Sequence, residues 1–428
     1  MWYSMMCERG TVGRVNGTTN DYRWRRVDEV LDEAIGAFAA VMVVGPRAVG
    51  KTTTAARRAA QVDRLDVPDT AALYRADPDA ALRRSRRPLL IDEWQEVPEV
   101  LAAVKRAVDV DRTPGQFILT GSIRVDTDVS TWAGTGRVIR VPMHPLTEAE
   151  VDGRSGPGLL HRLTTTWLDL TAPPDGGIDD CIGRALRSGF PDLAYPDRST
   201  RQRSMWLANY LDDLVSRDVT SIGASRDPVR LRRYVDVLAL NLAGQPSDQA
   251  LLRDADLNAR TAAVYERALS TLGVIDLVPA WVTNRLKRIT KGAKRYFTDT
   301  GLAAAAAGLT TNDVLQSSDL LGRWFDAFAT MQLRAEAATM FPSPKLHHLR
   351  VEGGRHEIDL VLDLGNGKVF GVEFKAGTAP TLEDARHLVW LRDEYGKRFV
   401  GGVVVHAGRA VTELSDRIGA VPISASWS

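Results

Sequence analysis

Lysine is scarce in this chain: nine lysines stand against 46 arginines among 428 residues. A compact ammonium and a forked guanidinium are not interchangeable, so a lysine inside a candidate site says more than its charge alone. Cysteine is nearly absent. Cys7 and Cys181 cannot make a disulfide framework, which excludes a small stapled scaffold and fits a reducing cytoplasm. No apolar run reaches the roughly 20 residues of a membrane span, so a membrane role is not expected. Residues 1–20 lack the basic start and apolar core of a signal peptide and read as a loose, Gly-, Thr- and Asn-rich N-terminus. An excess of either charge is missing too. The net charge is +1, so any nucleic-acid surface has to be local. What remains is an ordinary globular composition, long enough for about two to three domains.

The stretch from Val41 to Thr54 organises the chain. Four apolar residues, Val41 to Val44, read as a buried strand, and a helix-forming run follows from Ala55 to Val62. Between them lies Gly45, four residues, then Gly50-Lys51-Thr52. This is the strand, glycine loop and helix order of a P-loop. The glycines let the backbone turn its N–H groups onto phosphate oxygens. Lys51 reaches the β- and γ-phosphates, and the Thr52 hydroxyl is placed for Mg²⁺. The residues expected to hold ATP are Gly45, Pro46, Arg47, Ala48, Val49, Gly50, Lys51, Thr52 and Thr53, with Ser122.

The surrounding pattern alternates. An amphipathic helix spans Tyr22 to Ala37, and a second strand falls near Arg64 to Val67. A helical run from Ala71 to Leu82 is interrupted at Pro78. An apolar strand from Pro88 ends in Asp92-Glu93, a helix covers Pro98 to Val108, and another strand runs from Gln116 to Ser122. Strands alternating with helices predict a parallel sheet with helices on both faces, an α/β domain over residues 21–150. Asp92, at a strand's carboxyl end, suits a Mg²⁺-linked carboxylate, and Glu93 suits the base that orients the attacking water. Thr120 and Ser122 are candidates for sensing the γ-phosphate. Arg47, Arg124 and Arg137 are candidates for stabilising its charge.

Residues 151–198 read as a linker with closing helices, and 199–305 as a helical segment. Within it, Ser247 to Leu272 fits a helix-turn-helix, and 273–279 with 294–298 fit the strands of a wing. The connecting piece carries Arg285, Lys287, Arg288, Lys291 and Lys294, a layout suited to DNA. From 310 to 428 the order is helix, three strands, helix, strand. Asp359, Glu373 and Lys375 fall on adjacent strands as in a restriction-type nuclease core. There, two carboxylates could hold Mg²⁺ and the lysine could steady the developing charge. Glu373 and Lys375 share a strand face by alternation. Asp359 and Glu373 are expected together at the open edge of a mixed sheet, with Asp326 approaching from the preceding helix.

The combination resembles a family of prokaryotic ATPases that join an AAA-type P-loop domain to a C-terminal domain known as DUF4143. The N-terminal likeness rests on Gly45 to Thr53, Leu90 to Pro98, Leu119 to Ser122 and Ala133 to Arg137. The C-terminal likeness rests on Ser188 to Pro191, Tyr210 to Asp218, Tyr296 to Leu302, Gly322 to Asp326, Glu357 to Asp359 and Glu373 to Lys375. Asp326 stands where the family tends to have Glu, and Phe374 where it tends to have a smaller apolar residue. The resemblance implies ATP and Mg²⁺ binding, a winged-helix segment and a PD-(D/E)xK nuclease-like α/β fold. Two readings stay open: an ATP-driven switch acting on DNA, and a regulatory module whose partner is another protein.

Overall fold

The computed structural model describes residues 22–121, 135–170, 176–194, 198–219, 227–244, 246–281, 292–351 and 355–427. Five strands, β1 (Ala40–Val44), β2 (Gln61–Arg64), β3 (Leu89–Asp92), β4 (Phe117–Gly121) and β5 (Val138–Pro142), form a parallel sheet in the order β2-β3-β4-β1-β5. The run Val-Met-Val-Val of β1 is apolar throughout because both its faces are covered. Val41 and Val43 join Leu90 and Ile118 in one core, while Ala40, Met42 and Val44 join Leu89, Ile91 and Leu119 in another. The helix Val100–Val110 closes the second face with Val100, Leu101, Val104 and Val108.

Two local expectations shift, and the expected break at Pro78 is met. The second strand covers 61–64 rather than 64–67, because the extended Val67 leads into a helix that starts on Pro68. The helical run through Pro78 is two helices, Pro68–Ala76 and Pro78–Arg84. Asp77 separates them, and its carboxylate caps the second at Ala80 N. The opening helix begins at Val27 rather than Tyr22. Asp28 draws the preceding residues out of helical register, accepting from Arg25 N at 2.7 Å and from the Tyr22 hydroxyl at 2.7 Å.

Beyond the sheet, Ile178–Arg187, Thr200–Asp213 and Pro228–Leu240 are helices, with a π-helical turn over Leu214–Asp218. Helices Asp248–Ala255 and Ala259–Thr271 lead into an antiparallel ribbon of β6 (Ile275–Val278) and β7 (Lys294–Phe297). The connector residues Arg285, Lys287, Arg288 and Lys291 lie outside the described residues. A second sheet contains β8 (Lys345–Val351), β9 (His356–Asp363), β10 (Val369–Lys375), β11 (Phe399–His406), β12 (Thr412–Ser415) and β13 (Ile418–Pro422), in the order β12-β13-β11-β10-β9-β8. β11 runs parallel to β10 and β13; the other pairings are antiparallel. The 20-residue helix Ser318–Ala337 buries Trp324, Phe325 and Phe328. Gly371 lets the helix Arg386–Tyr395 sit close on β10, since a Cβ there would lie 2.6 Å from a Leu388 methyl. Both sheets rest on a shared core running from Val41 through Phe190, Leu238 and Phe328 to Phe374 and Val405.

Phe190 sits at the middle of that core, its ring 5.2 Å from Trp206 and 5.0 Å from Tyr210. Phe190→Ala is expected to lower unfolding stability by about 3–5 kcal/mol, the cost of a large buried cavity. Urea denaturation measures it, and an unchanged midpoint would contradict this packing.

Candidate nucleotide site and C-terminal ion cluster

The glycine loop is shaped by what surrounds it. A Cβ on Gly45 would fall 2.1 Å from the Met143 carbonyl oxygen, so nothing larger fits where β1 enters the loop. Ala48 (φ 61°) and Gly50 (φ 94°) both adopt the left-handed conformation. Such turns line up successive N–H groups as an anion-binding concavity. From below, the buried Arg25 donates to Val49 O at 2.9 Å, His144 O at 2.7 Å and Glu150 at 3.1 Å. Burial works against the Glu150 charge, but Arg25 and the N–H groups of Thr147 and Arg26 hold its carboxyl below the ordinary range. Arg25 and Glu150 carry no motif, and the sequence reading missed both.

Lys51 is not in a solvated loop, as its place after Gly50 suggests, but folds beneath it. Its ammonium donates to Gly45 O at 3.0 Å and Pro46 O at 2.6 Å, and the side chain is buried. Burial pushes its pKa down to about 8, against the pull of Glu93 and Asp92. Thr52 Oγ1 donates to Asp92 Oδ1 at 2.8 Å, and Thr120 Oγ1 donates to the same oxygen at 2.6 Å. The fully buried Thr120 hydroxyl, a candidate phosphate sensor, is therefore committed to supporting Asp92. Glu93 is half-buried in a left-handed conformation (φ 54°, ψ 48°), and its carboxylate accepts the Gln95 amide. A left-handed non-glycine residue is strained, and such strain gathers at functional positions. Gly121 makes room for this turn, because a Cβ there would lie 2.5 Å from Gln95 Oε1 and 2.6 Å from Trp94 Nε1.

The remaining loop candidates separate. Pro46 and Val49 are buried, Arg47 and Ala48 form the exposed crest, and Thr53 faces out from the helix Lys51–Ala56. Arg137 precedes β5 at the amino end of the strands, opposite the loop, and pairs with Asp109 at 2.8 Å. It is therefore not a phosphate ligand of this loop. Ser122 and Arg124 lie outside the described residues. Arg47 pairs instead with Asp218 of the π-helical turn at 2.9 Å. Next to it, a Cβ on Gly273 (φ 72°) would come within 3.1 Å of Pro46 N. The segment that starts β6 thus lies directly on the loop.

The C-terminal candidates also converge, but not at an open edge. β9 and β10 lie inside the sheet, flanked by β8 and β11. Asp359 and Glu373 are close enough to act on each other's charge, and Lys375 is near enough to influence both. Between Asp326 and Asp359 stands a residue that the sequence places among the wing cations suited to DNA. Lys294 of β7 is buried, with Nζ 3.3 Å from Asp326 Oδ2 and 3.1 Å from Asp359 Oδ1. Burial disfavours its charge, yet the two aspartates hold its pKa well above the ordinary value. Burial pushes the Asp326 carboxyl up to about 6, against Lys294. Asp359 stays low despite burial because of Lys294 and the Phe374 N–H. Glu373 is raised well above the carboxylate range by burial and by Asp359, and among the described residues its Oε1 has no hydrogen-bond partner.

The parallel sheet, the glycine loop and the Thr52–Asp92 pairing define an AAA-type P-loop domain. Residues 37–151 match the family described as an AAA domain, 178–313 match a domain of unknown function, DUF8612, and 321–426 match the domain of unknown function DUF4143. The chain thus joins an AAA domain to a DUF4143 domain. It is 27% identical over 396 residues to uncharacterized proteins of Mycobacterium bovis and Mycobacterium tuberculosis, covering 92% of this chain and 82% of each relative. Among solved structures it is similar to a Walker-type ATPase of Pyrococcus abyssi, at 14% identity and a TM-score of 0.38, over 65% of this chain and 94% of that one. Among the described residues no helix is long and apolar enough to cross a membrane.

The lowered Lys51 pKa fixes a pH dependence. Polyphosphate needs the ammonium, which the free protein loses as pH rises through about 8. ATP binding above that pH should therefore take up a proton, and affinity should fall by up to about tenfold per pH unit. Calorimetry in buffers of different ionisation heat reads the uptake. Affinity independent of pH from 7 to roughly 9.5 would contradict the assignment.

Proposed function

We propose that the chain binds ATP with Mg²⁺ at the P-loop and hydrolyses it, and that the helical and C-terminal parts read the nucleotide state. The observation that carries this reading is the Thr52 hydroxyl donating to the buried Asp92 carboxylate, with Lys51 and Glu93 alongside. Thr52 and Asp92 offer hard oxygen donors at the mouth of the loop, a set that fits Mg²⁺. When bound, that ion would neutralise charge on the β- and γ-phosphates. Lys51 exchanges its loop carbonyls for phosphate oxygens. The N–H groups of 47–51 hold the phosphates in line, and Glu93 takes the proton of the attacking water.

Two contacts support the switch. Arg47 at the crest can pair with phosphate or with Asp218, and Pro46 bears on Gly273 at the root of the β6–β7 ribbon. On this reading residues 21–150 are the ATPase unit, 199–305 a winged-helix segment and 310–428 a nuclease-like fold, all in a cytoplasmic protein. DNA would be met by the connector cations Arg285, Lys287, Arg288 and Lys291. The regulatory alternative, in which the partner is a protein and nothing is cut, draws support from Lys294 lying among the carboxylates that cleavage would need.

Glu93→Gln is expected to bind ATP as the native chain does and to hydrolyse it at least about tenfold more slowly, the scale of lost general-base help. A phosphate-release assay beside calorimetry decides. Native turnover in the variant would remove Glu93 from this role.

A further inference from the structure

A nuclease-like site would place a divalent cation among Asp326, Asp359 and Glu373, and these residues as arranged do not suit one. Asp326 Oδ2 and Asp359 Oδ1 both accept from Lys294 Nζ. Asp326 Oδ1 accepts the Tyr296 hydroxyl at 3.0 Å and the Thr330 hydroxyl at 3.1 Å, and Asp359 Oδ2 accepts Phe374 N at 3.0 Å. Every oxygen of both aspartates is thus met by a protein donor. Among the described residues Glu373 Oε1 is without a partner, but one carboxylate oxygen is far from the coordination shell a hard dication demands. Among the described residues no group of three or more His, Cys, Asp or Glu is placed to hold a metal ion.

Charge leads to the same place. With Asp326, Asp359 and Glu373 all ionised against Lys294 and Lys375, the set is one negative charge from balance. A dication added to that set would leave excess positive charge in the interior, where it is costly. Take the Lys294 ammonium away and the same carboxylates become an acidic cluster that a dication would neutralise. Lys294 also belongs to neither element that carries the aspartates. It comes from β7, whose strand partner is β6 and not the six-stranded sheet.

We propose that Lys294 is a built-in stand-in for a divalent cation: docked between Asp326 and Asp359, its ammonium closes the C-terminal cluster, which takes a metal ion only when Lys294 is withdrawn. The ribbon that carries it is tied back to the P-loop contact, since Thr298 Oγ1 donates to Gly273 O at 2.6 Å. This inference stands apart from ATP hydrolysis and would survive its failure.

Mn²⁺ binding to the nucleotide-free full chain, read by electron paramagnetic resonance, tests it. The native chain should show no bound Mn²⁺ that Asp359→Asn removes. Lys294→Met, which keeps the volume and deletes the charge, should bind one Mn²⁺ at least about tenfold more tightly than the native chain. That gain should disappear in Lys294→Met/Glu373→Gln. If Lys294→Met folds poorly, Mn²⁺ should raise its melting temperature and leave that of the native chain unchanged. Native Mn²⁺ binding that Asp359→Asn abolishes would overturn the proposal. So would a Lys294→Met chain that neither gains Mn²⁺ nor is stabilised by it.

Discussion

A carboxylate taken out of water has to be met by a cation, by hydrogen-bond donors or by a proton, and this constraint shapes both sites of the molecule. Arg25 meets Glu150 and, with the same guanidinium, carries the underside of the glycine loop. Arg184 and Arg187 meet Glu148, and Arg47 meets Asp218. Lys294 meets Asp326 and Asp359 together. Asp92 is treated differently: among the described residues its hydrogen-bond partners are two threonine hydroxyls, with the Lys51 ammonium acting from nearby. Hydroxyls orient a carboxylate without cancelling its charge. One acidic site thus meets its carboxylate with hydroxyls and a cation held at a distance, and the other holds its cation in direct contact.

This difference separates two places that look alike as strings of residues. Asp92 beside Thr52 and Asp359 beside Glu373 both read as Mg²⁺ ligands. In the first, the donors converge on one oxygen, Thr52 from the helix after the loop and Thr120 from β4. In the second, the aspartate oxygens are all spoken for. The bridge between the regions is mechanical as well as electrostatic. Gly273 packs on Pro46, and the strand that follows it pairs with the one carrying Lys294.

The loop was legible because its chemistry is local: the spacing of Gly45, Gly50 and Lys51 specifies a turn that the tertiary structure only has to accommodate. Asp92 was legible for a related reason, as an acid ending a short apolar strand. The role of Lys294 was not, because its partners arrive from a helix and a strand far along the chain. A signal existed nonetheless. In Lys294-Arg-Tyr-Phe the alternation puts Lys294 on the face of the buried Tyr296, and its rarity among arginines applied to it as much as to Lys51. Strands β12 and β13 were overlooked because Gly419 and Pro422 blur the apolar run of the latter, while Thr412–Ser415 is polar and short. Arg25 offered no signal, being one arginine among 46.

The central claim is that nucleotide at the P-loop is felt by the rest of the chain through Arg47–Asp218 and Pro46–Gly273. Hydrogen–deuterium exchange of the full chain, with and without ATP and Mg²⁺, tests it most directly. The account predicts protection at residues 45–52 together with altered exchange over 214–218 and 273–278. Protection confined to the loop, with both distant segments unchanged, would contradict it.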